Sequence, residues 1–412
     1  MIKRMMSNGC FRIACAIALM TVMLLGSGCT AKEPEGLAPV KIAVVGQQSG
    51  FGQQYGFNIF SGAELAIQEI NEKGGILGGR PVVGVRYDEG YSAEVTINSM
   101  KQAIADGCTV FVGWTDATQA EPAADYAKEK GLPIIIAFAG AEPKVCQPDY
   151  YDAAFVVNMA NIPRCFSSYH YWMDREGYRR LASVLYTSQF GLNNQDAWKE
   201  FSPKLNLKRV YEDWYAWGEI GDCRAQLPGA VAANPDFMHL QIFTGVQLYP
   251  ALERLVELGY TGPVGMDNCA LADGVIAAEM PAGLAEKFKG IYSHTRMSAT
   301  PDVPSTIEWR DKFLDFCRKN NFNILKENDQ AVGGYSAVWL AAMAIDKAGT
   351  DVFPANTDKF VTAMHGLDWM HPAGFKASFT AGGELKFPHQ FIQTIQNGQV
   401  VVVDIIQVDP WD

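Results

Sequence analysis

Short runs of branched apolar residues recur from Val40 onward, each followed by about a dozen residues of helical periodicity, and this alternation leaves the chain few folds to choose from. "VKIAVVG" has the nearly unbroken apolar character of a strand buried on both faces. In "FSGAELAIQEINEKGG", Ala63, Ile67 and Ile70 share one helical face ahead of a Gly74-Gly75 stop. Strand "VVGVRYD", helix "AEVTINSMKQAIADG", strand "TVFVG", helix "QAEPAADYAKEKG" and strand "LPIIIAF" follow. Strands joined through helices need right-handed crossovers, which predicts a doubly wound parallel sheet.

The rhythm breaks over residues 142–164, which read as irregular, and then restarts. Helix "CFSSYHYWMDREG", strand "LASVLY", helix "NNQDAWKEFSPK", strand "KRVYED", helix "DCRAQLPGAVAA", strand "DFMHLQIF", helix "YPALERLVELG" and strand "GPVGMD" describe a second α/β lobe of the same kind. Two such lobes make a cleft. The last third contains the apolar helix "GGYSAVWLAAMAIDKAG". It ends in alternating strands that suggest an antiparallel meander with a Gly-Gly turn.

Upstream of this body, the first 28 residues carry Lys3, Arg4 and Arg12, no acid, and the apolar run "IACAIALMTVMLL", too short for a stable span. They read as a secretory signal. Gly26, Ser27 and Gly28 then lead into Cys29, an arrangement that resembles a bacterial lipobox and implies a diacylated cysteine. Leu25 stands four residues before Cys29 where three is usual, and ordinary signal cleavage beside an incidental cysteine is the competing reading. Two acyl chains anchor stably where one is marginal. Residues 30–39 form a short polar tether.

Cleavage would leave about 384 residues, room for two domains with substantial cores, and would move the formal charge from −11 to about −14. Such acidity argues against a nucleic-acid partner. Cys108, Cys146, Cys165, Cys223, Cys269 and Cys317 permit disulfides in an exported protein, although isolated core thiols are the commoner case. None has CxxC spacing. There is no HExxH, no GxSxG and no nucleophile with an evident base, so the chain is read as a non-enzyme without cofactor or metal.

Open parallel sheets bind ligands beyond the carboxyl ends of their strands, where helix N-termini face the crevice. The loops to inspect are therefore 46–56, 113–119, 137–143, 186–191, 243–247 and 265–269. The glycine-rich first loop has neither P-loop nor GxGxxG spacing, and in it Ser49 and Tyr55 could reach a ligand. Thr115, Asp116 and Thr118 stand at a helix start that suits a carboxylate, while Asp116 or Thr118 could equally cap the helix. Asp267 follows a second-lobe strand, where an acid can face an ammonium. Trp114, Phe138 and Phe190 suit pocket walls and suit a core as well.

The segments "VKIAVVGQQSG", "GAELAIQEINEKGGILGGRPVVGVRYDEG" and "FVGWTDATQAEPAADYAKEKGLPIIIAFA" resemble the type I periplasmic binding proteins, in particular the Leu/Ile/Val-binding group that serves branched-chain amino-acid ABC transporters. The resemblance covers residues 40–408. It implies two lobes, 40–157 with 293–378 and 158–292 with 379–412, joined by three hinge crossings near residues 157, 292 and 378. The family's carboxylate-binding serine falls on Ala117, beside Thr118. Its Ala-x-Thr segment falls on Phe138, Ala139 and Gly140, with Gly140 nearest the threonine. Its second-lobe tyrosine falls near Phe190, and its ammonium-binding acid near Asp267. Two hydroxyls of the zwitterion clamp are thus missing, at about 1–3 kcal/mol for each lost buried partner.

The expected function is capture of a small organic solute by hinge closure and its delivery to an ABC permease in the inner membrane, from an extracytoplasmic, lipid-anchored position. An amino acid or related carboxylate leads as ligand, with an aromatic acid or an amide as rivals. A sensor lipoprotein for a membrane kinase is the alternative of a different class.

Overall fold

In the computed structural model, residues 37–50, 52–157, 162–216, 222–242, 244–266, 270–271 and 274–407 are described. Residues 39–412 cluster as a single contact unit. Cys29, the signal segment and residues 30–36 of the tether lie outside the described residues, as does Asp267.

The first lobe is built on strands β1 (Val40–Gly46), β2 (Val82–Asp88), β3 (Val110–Gly113), β4 (Ile134–Ile136) and β5 (Ala154–Val156). They form a parallel sheet in the order β2-β1-β3-β4-β5. Its crossover helices are α1 (Gln53–Glu72), α2 (Ala93–Ala105) and α3 (Ala117–Lys130). Alternate residues of β1 feed opposite layers. Ile42 and Val44 join one core cluster with Ile59, Phe60 and Ala63 of α1, whereas Ala43 and Val45 join another with Met100 of α2 and Ala120 and Ala124 of α3. Burial on both faces is why β1 reads as a continuous apolar run.

The chain then enters the second sheet, whose order is β12-β11-β10-β9-β8-β6-β7. The elements in sequence are α4 (Ile162–Arg175), β6 (Arg180–Tyr186), α5 (Gln189–Phe201), β7 (Lys208–Tyr215), α6 (Leu227–Ala232), β8 (Phe237–Leu240), α7 (Gly245–Glu257), β9 (Val264–Met266) and β10 (Ile291–Thr295). After β10 the chain returns to the first lobe as α8 (Pro304–Lys319), α9 (Asp329–Ala348) and α10 (Thr357–His365). It then closes the second sheet with β11 (His389–Gln396) and β12 (Gln399–Gln407). β6 to β10 pair in parallel; β11 pairs antiparallel with β10 and with β12.

The passages between sheets are held by side chains and backbone together. At the end of β10 the Thr295 hydroxyl donates to Asp329 at the start of α9 (2.7 Å), and beyond it the Ala299 amide donates to Glu327 (2.7 Å). On the way to β11, Leu385 N–H donates to Val156 C=O (2.8 Å), and Val156 N–H to Gly383 C=O (2.9 Å).

Several sequence expectations change. Residues 142–164 are less irregular than they read, holding a helical turn at Glu142–Val145 and the short strand β5. The helix expected from residue 60 begins at Gln53, so Tyr55 sits on the first turn of α1 and not in a loop. The sheet hairpin turns at Asn397-Gly398, where both φ values are positive (52° and 71°), the geometry an Asn-Gly turn favours. The Gly382-Gly383 pair reverses the chain earlier, between bridged Phe379 and Leu385. Cys108, Cys223 and Cys317 are buried thiols.

Candidate functional site

The carboxyl ends of β3 and β6 meet across the interlobe edge. Gly113, at φ 136°, lets the chain leave β3 tightly; a Cβ there would stand 1.8 Å from the Val45 carbonyl oxygen. Trp114 follows at φ 69°, a strained value for a bulky residue. The Trp114 indole is fully buried, donates to Thr96 of α2 (2.9 Å) and belongs to the first-lobe core. Trp114 is therefore part of the first-lobe core and shapes the loop, one of the two readings its position allowed.

Asp116 has extended backbone and caps α3, its Oδ1 accepting from Thr118 N–H (2.8 Å). Its Oδ2 accepts from the hydroxyl of Tyr186, the last residue of β6 in the other lobe (3.0 Å). Burial pushes the Asp116 carboxyl upward, opposed by its bonds from Thr118, Tyr186 and Tyr91. One residue earlier, Thr115 N–H donates to both oxygens of Glu89, and the Thr115 hydroxyl also bonds it. Glu89 is inaccessible to solvent and its carboxyl is pushed up to about 8, chiefly by burial. Ser49, in contrast, is tied at the surface to Asp88 (2.7 Å).

The other candidates fall along the same edge. Ala117 is fully buried under the first turn of α3, next to Thr118. Phe138 and Ala139 are buried beyond β4, and the Gly140 carbonyl accepts from Asn193 Nδ2 of α5 (2.7 Å), a second bond between lobes. Phe190 lies nearly parallel to Tyr186, ring centres 6.2 Å apart. Tyr55 is half-buried against the first-lobe core.

On the second-lobe side, Gln241 Oε1 accepts from Tyr186 N–H (3.0 Å), and the Gln241 carbonyl accepts from Tyr215. Thr244, the N-cap of α7, makes no side-chain cap bond. The buried Thr244 hydroxyl and both amide atoms of Gln247 have no hydrogen-bond partner among the described residues. The interlobe edge thus offers aromatic rings, neutral amides, hydroxyls and buried acids, a set suited to holding a small molecule noncovalently. Among the described residues, no group of three or more His, Cys, Asp and Glu could hold a metal ion. Sequence reasoning passed over Glu89, Tyr186, Asn193 and Gln241; the one signal available was that Tyr186 and Gln241 lie at strand ends in or beside inspected loops.

A family model described as periplasmic binding protein matches residues 39–399. The Leu/Ile/Val-binding protein of Citrobacter freundii is 26% identical over 63% of this chain and 70% of its own length. A solute-binding protein of an ABC transporter from R. palustris, solved with benzoate, superposes with a TM-score of 0.76 at 17% identity, over 90% of this chain and 98% of that one. A leucine-binding protein from Thermotoga maritima gives 0.72 at 17% identity, over 90% and 99%. At those identities the solved structures speak to the fold alone.

Proposed function

The chain belongs to the periplasmic binding protein family, and from that premise we propose that it captures a small organic solute between its lobes outside the cytoplasm and presents it to an ABC permease. The observation that carries this reading is the pair of direct bonds across the interlobe edge, Tyr186 to Asp116 and Asn193 to Gly140, made at the carboxyl ends of facing strands. Closure around a solute orders such bonds, and a closed pair of lobes is a distinct surface for a permease to read. The named ligands of the relatives and neighbours, branched-chain amino acids and benzoate, support a solute of similar size here.

Small-angle scattering tests the capture. A solute that raises the melting temperature should also shrink the radius of gyration, whereas binding without compaction counts against hinge closure. A solute at a hundred times its Kd adds about 2.7 kcal/mol, enough to find it by thermal shift.

Anchoring through Cys29 belongs to the same proposal, supported by the small residues before it. Mass spectrometry of membrane-extracted protein should find a diacylated N-terminal cysteine, and Cys29→Ala should release the chain from membranes. A mature chain starting elsewhere removes the anchor and leaves solute capture standing.

A further inference from the structure

We infer that the group which the solute presents to the N-terminus of α3 is a neutral carboxamide and not a carboxylate, because the chain's own Asp116 already fills the anion position there. This rests on the solute-capture reading and narrows it. A helix N-terminus concentrates unbonded N–H groups and positive potential, and so attracts an anion. In α3 three of the first-turn donors are met internally. Thr118 N–H is bonded to the Asp116 carboxylate, and Gln119 N–H and Ala120 N–H are bonded to the Asp116 carbonyl (3.2 and 3.0 Å).

Both Asp116 oxygens are already engaged, one with Thr118 N–H and one with the Tyr186 hydroxyl, so neither is left open to a solute group. Among the described residues, no lysine or arginine is bonded to Asp116 or to Glu89. The charges of Asp116 and Asp88 both add to the rise of the Glu89 carboxyl, and a solute carboxylate would add a further like charge in a desolvated place.

A carboxamide suits the same place because it carries a donor and an acceptor without charge. Gln119, fully buried on the first turn of α3, keeps both its amide atoms without partners among the described residues, a donor and an acceptor that match. Benzoate and leucine, named for two structural neighbours, each carry a carboxylate, so the inference sets this chain apart from those proteins.

Calorimetric titration with isosteric pairs tests it: benzamide against benzoate, isobutyramide against isobutyrate, and L-leucinamide against L-leucine. The probes go to the wild type and to Asp116→Ser, chosen because serine also caps helices and so preserves the start of α3. At least one amide should bind the wild type at least tenfold more tightly than its carboxylate, and Asp116→Ser should reduce that preference at least tenfold. A carboxylate that binds the wild type as well as or better than its amide overturns the inference while leaving solute capture intact. So does a preference that Asp116→Ser leaves unchanged with its melting temperature preserved. If no amide among the probes binds the wild type, the carboxamide inference falls, while solute capture is decided separately by thermal shift and scattering.

Discussion

Asp116 concentrates two demands in one side chain: it starts α3 and it bonds the opposite lobe. Tyr186→Phe isolates the second demand, because the ring stays against Phe190 while the hydroxyl is lost. In the closed state the variant leaves Asp116 Oδ2 buried without its Tyr186 donor. With the lobes apart, water can satisfy it. The loss therefore falls on closure, at about 1–3 kcal/mol for a buried acceptor left without its partner, or roughly fivefold to a hundredfold in solute affinity. Calorimetry and fluorescence transfer between labelled lobes should show weaker binding and a smaller closed fraction at equal solute. Unchanged closure would mean that this bond contributes nothing to it. The capping role of Asp116 is legible in the sequence, since an acid two residues before Thr118 at a helix start has few other uses. The bond to Tyr186 is not legible, because the partner lies 70 residues away on another sheet.

Among elements, a close fit joins α1 and α9, two twenty-residue helices that pack through glycine. A Cβ on Gly62 would stand 1.8 Å from the Ala331 carbonyl oxygen, and one on Gly334 would stand 2.2 Å from that of Ile59. Both obstacles are backbone, so neither clash can be relieved by a side-chain rotation. Gly62→Ala gains about 1 kcal/mol of helix propensity. It must also push the buried helices apart, and overpacking of that kind costs about 1–3 kcal/mol or more. The clash should win, and thermal melting of Gly62→Ala and Gly334→Ala should each show a net loss; a raised melting temperature would show that the helices have slack. Most elements are legible because their burial is simple: β1 and α1 show their periods openly. The three residues of β5 and the mixed polarity of β10, "IYSHT", supply too little pattern, and tertiary pairing makes them strands.

At the scale of the whole molecule, buried ionisable groups of opposite kinds set how stability responds to pH. His170 and His371 are fully buried and pushed down to about 3, and His294 well below its ordinary value, in each case chiefly by burial. The unfolded chain binds protons at these histidines from about pH 6.5 downward and the native chain does not, so their contribution is present above 6.5 and is lost as pH falls toward 3. Glu89 and Asp329 act oppositely, with carboxyls pushed up to about 8 and about 6 by burial. Their native forms hold protons that the unfolded chain releases, so their contribution is present at acid pH and is lost as pH rises through those values. Between about pH 4.5 and 6 the two carboxyls partly offset the three histidines, leaving a net slope of about one proton in favour of higher pH. Below that range the histidines dominate, and between 6.5 and 8 Glu89 acts alone among these groups, at up to about 1.4 kcal/mol per pH unit. Melting temperature should therefore peak between about pH 6 and 7, with a decline on both flanks. Glu89→Gln keeps an acceptor for Thr115 and cannot ionise, so it should flatten the decline from pH 6.5 to 8 by about 2 kcal/mol while leaving the acid flank unchanged. An alkaline flank of the same slope in Glu89→Gln would place its origin in other groups and remove Glu89 from the account.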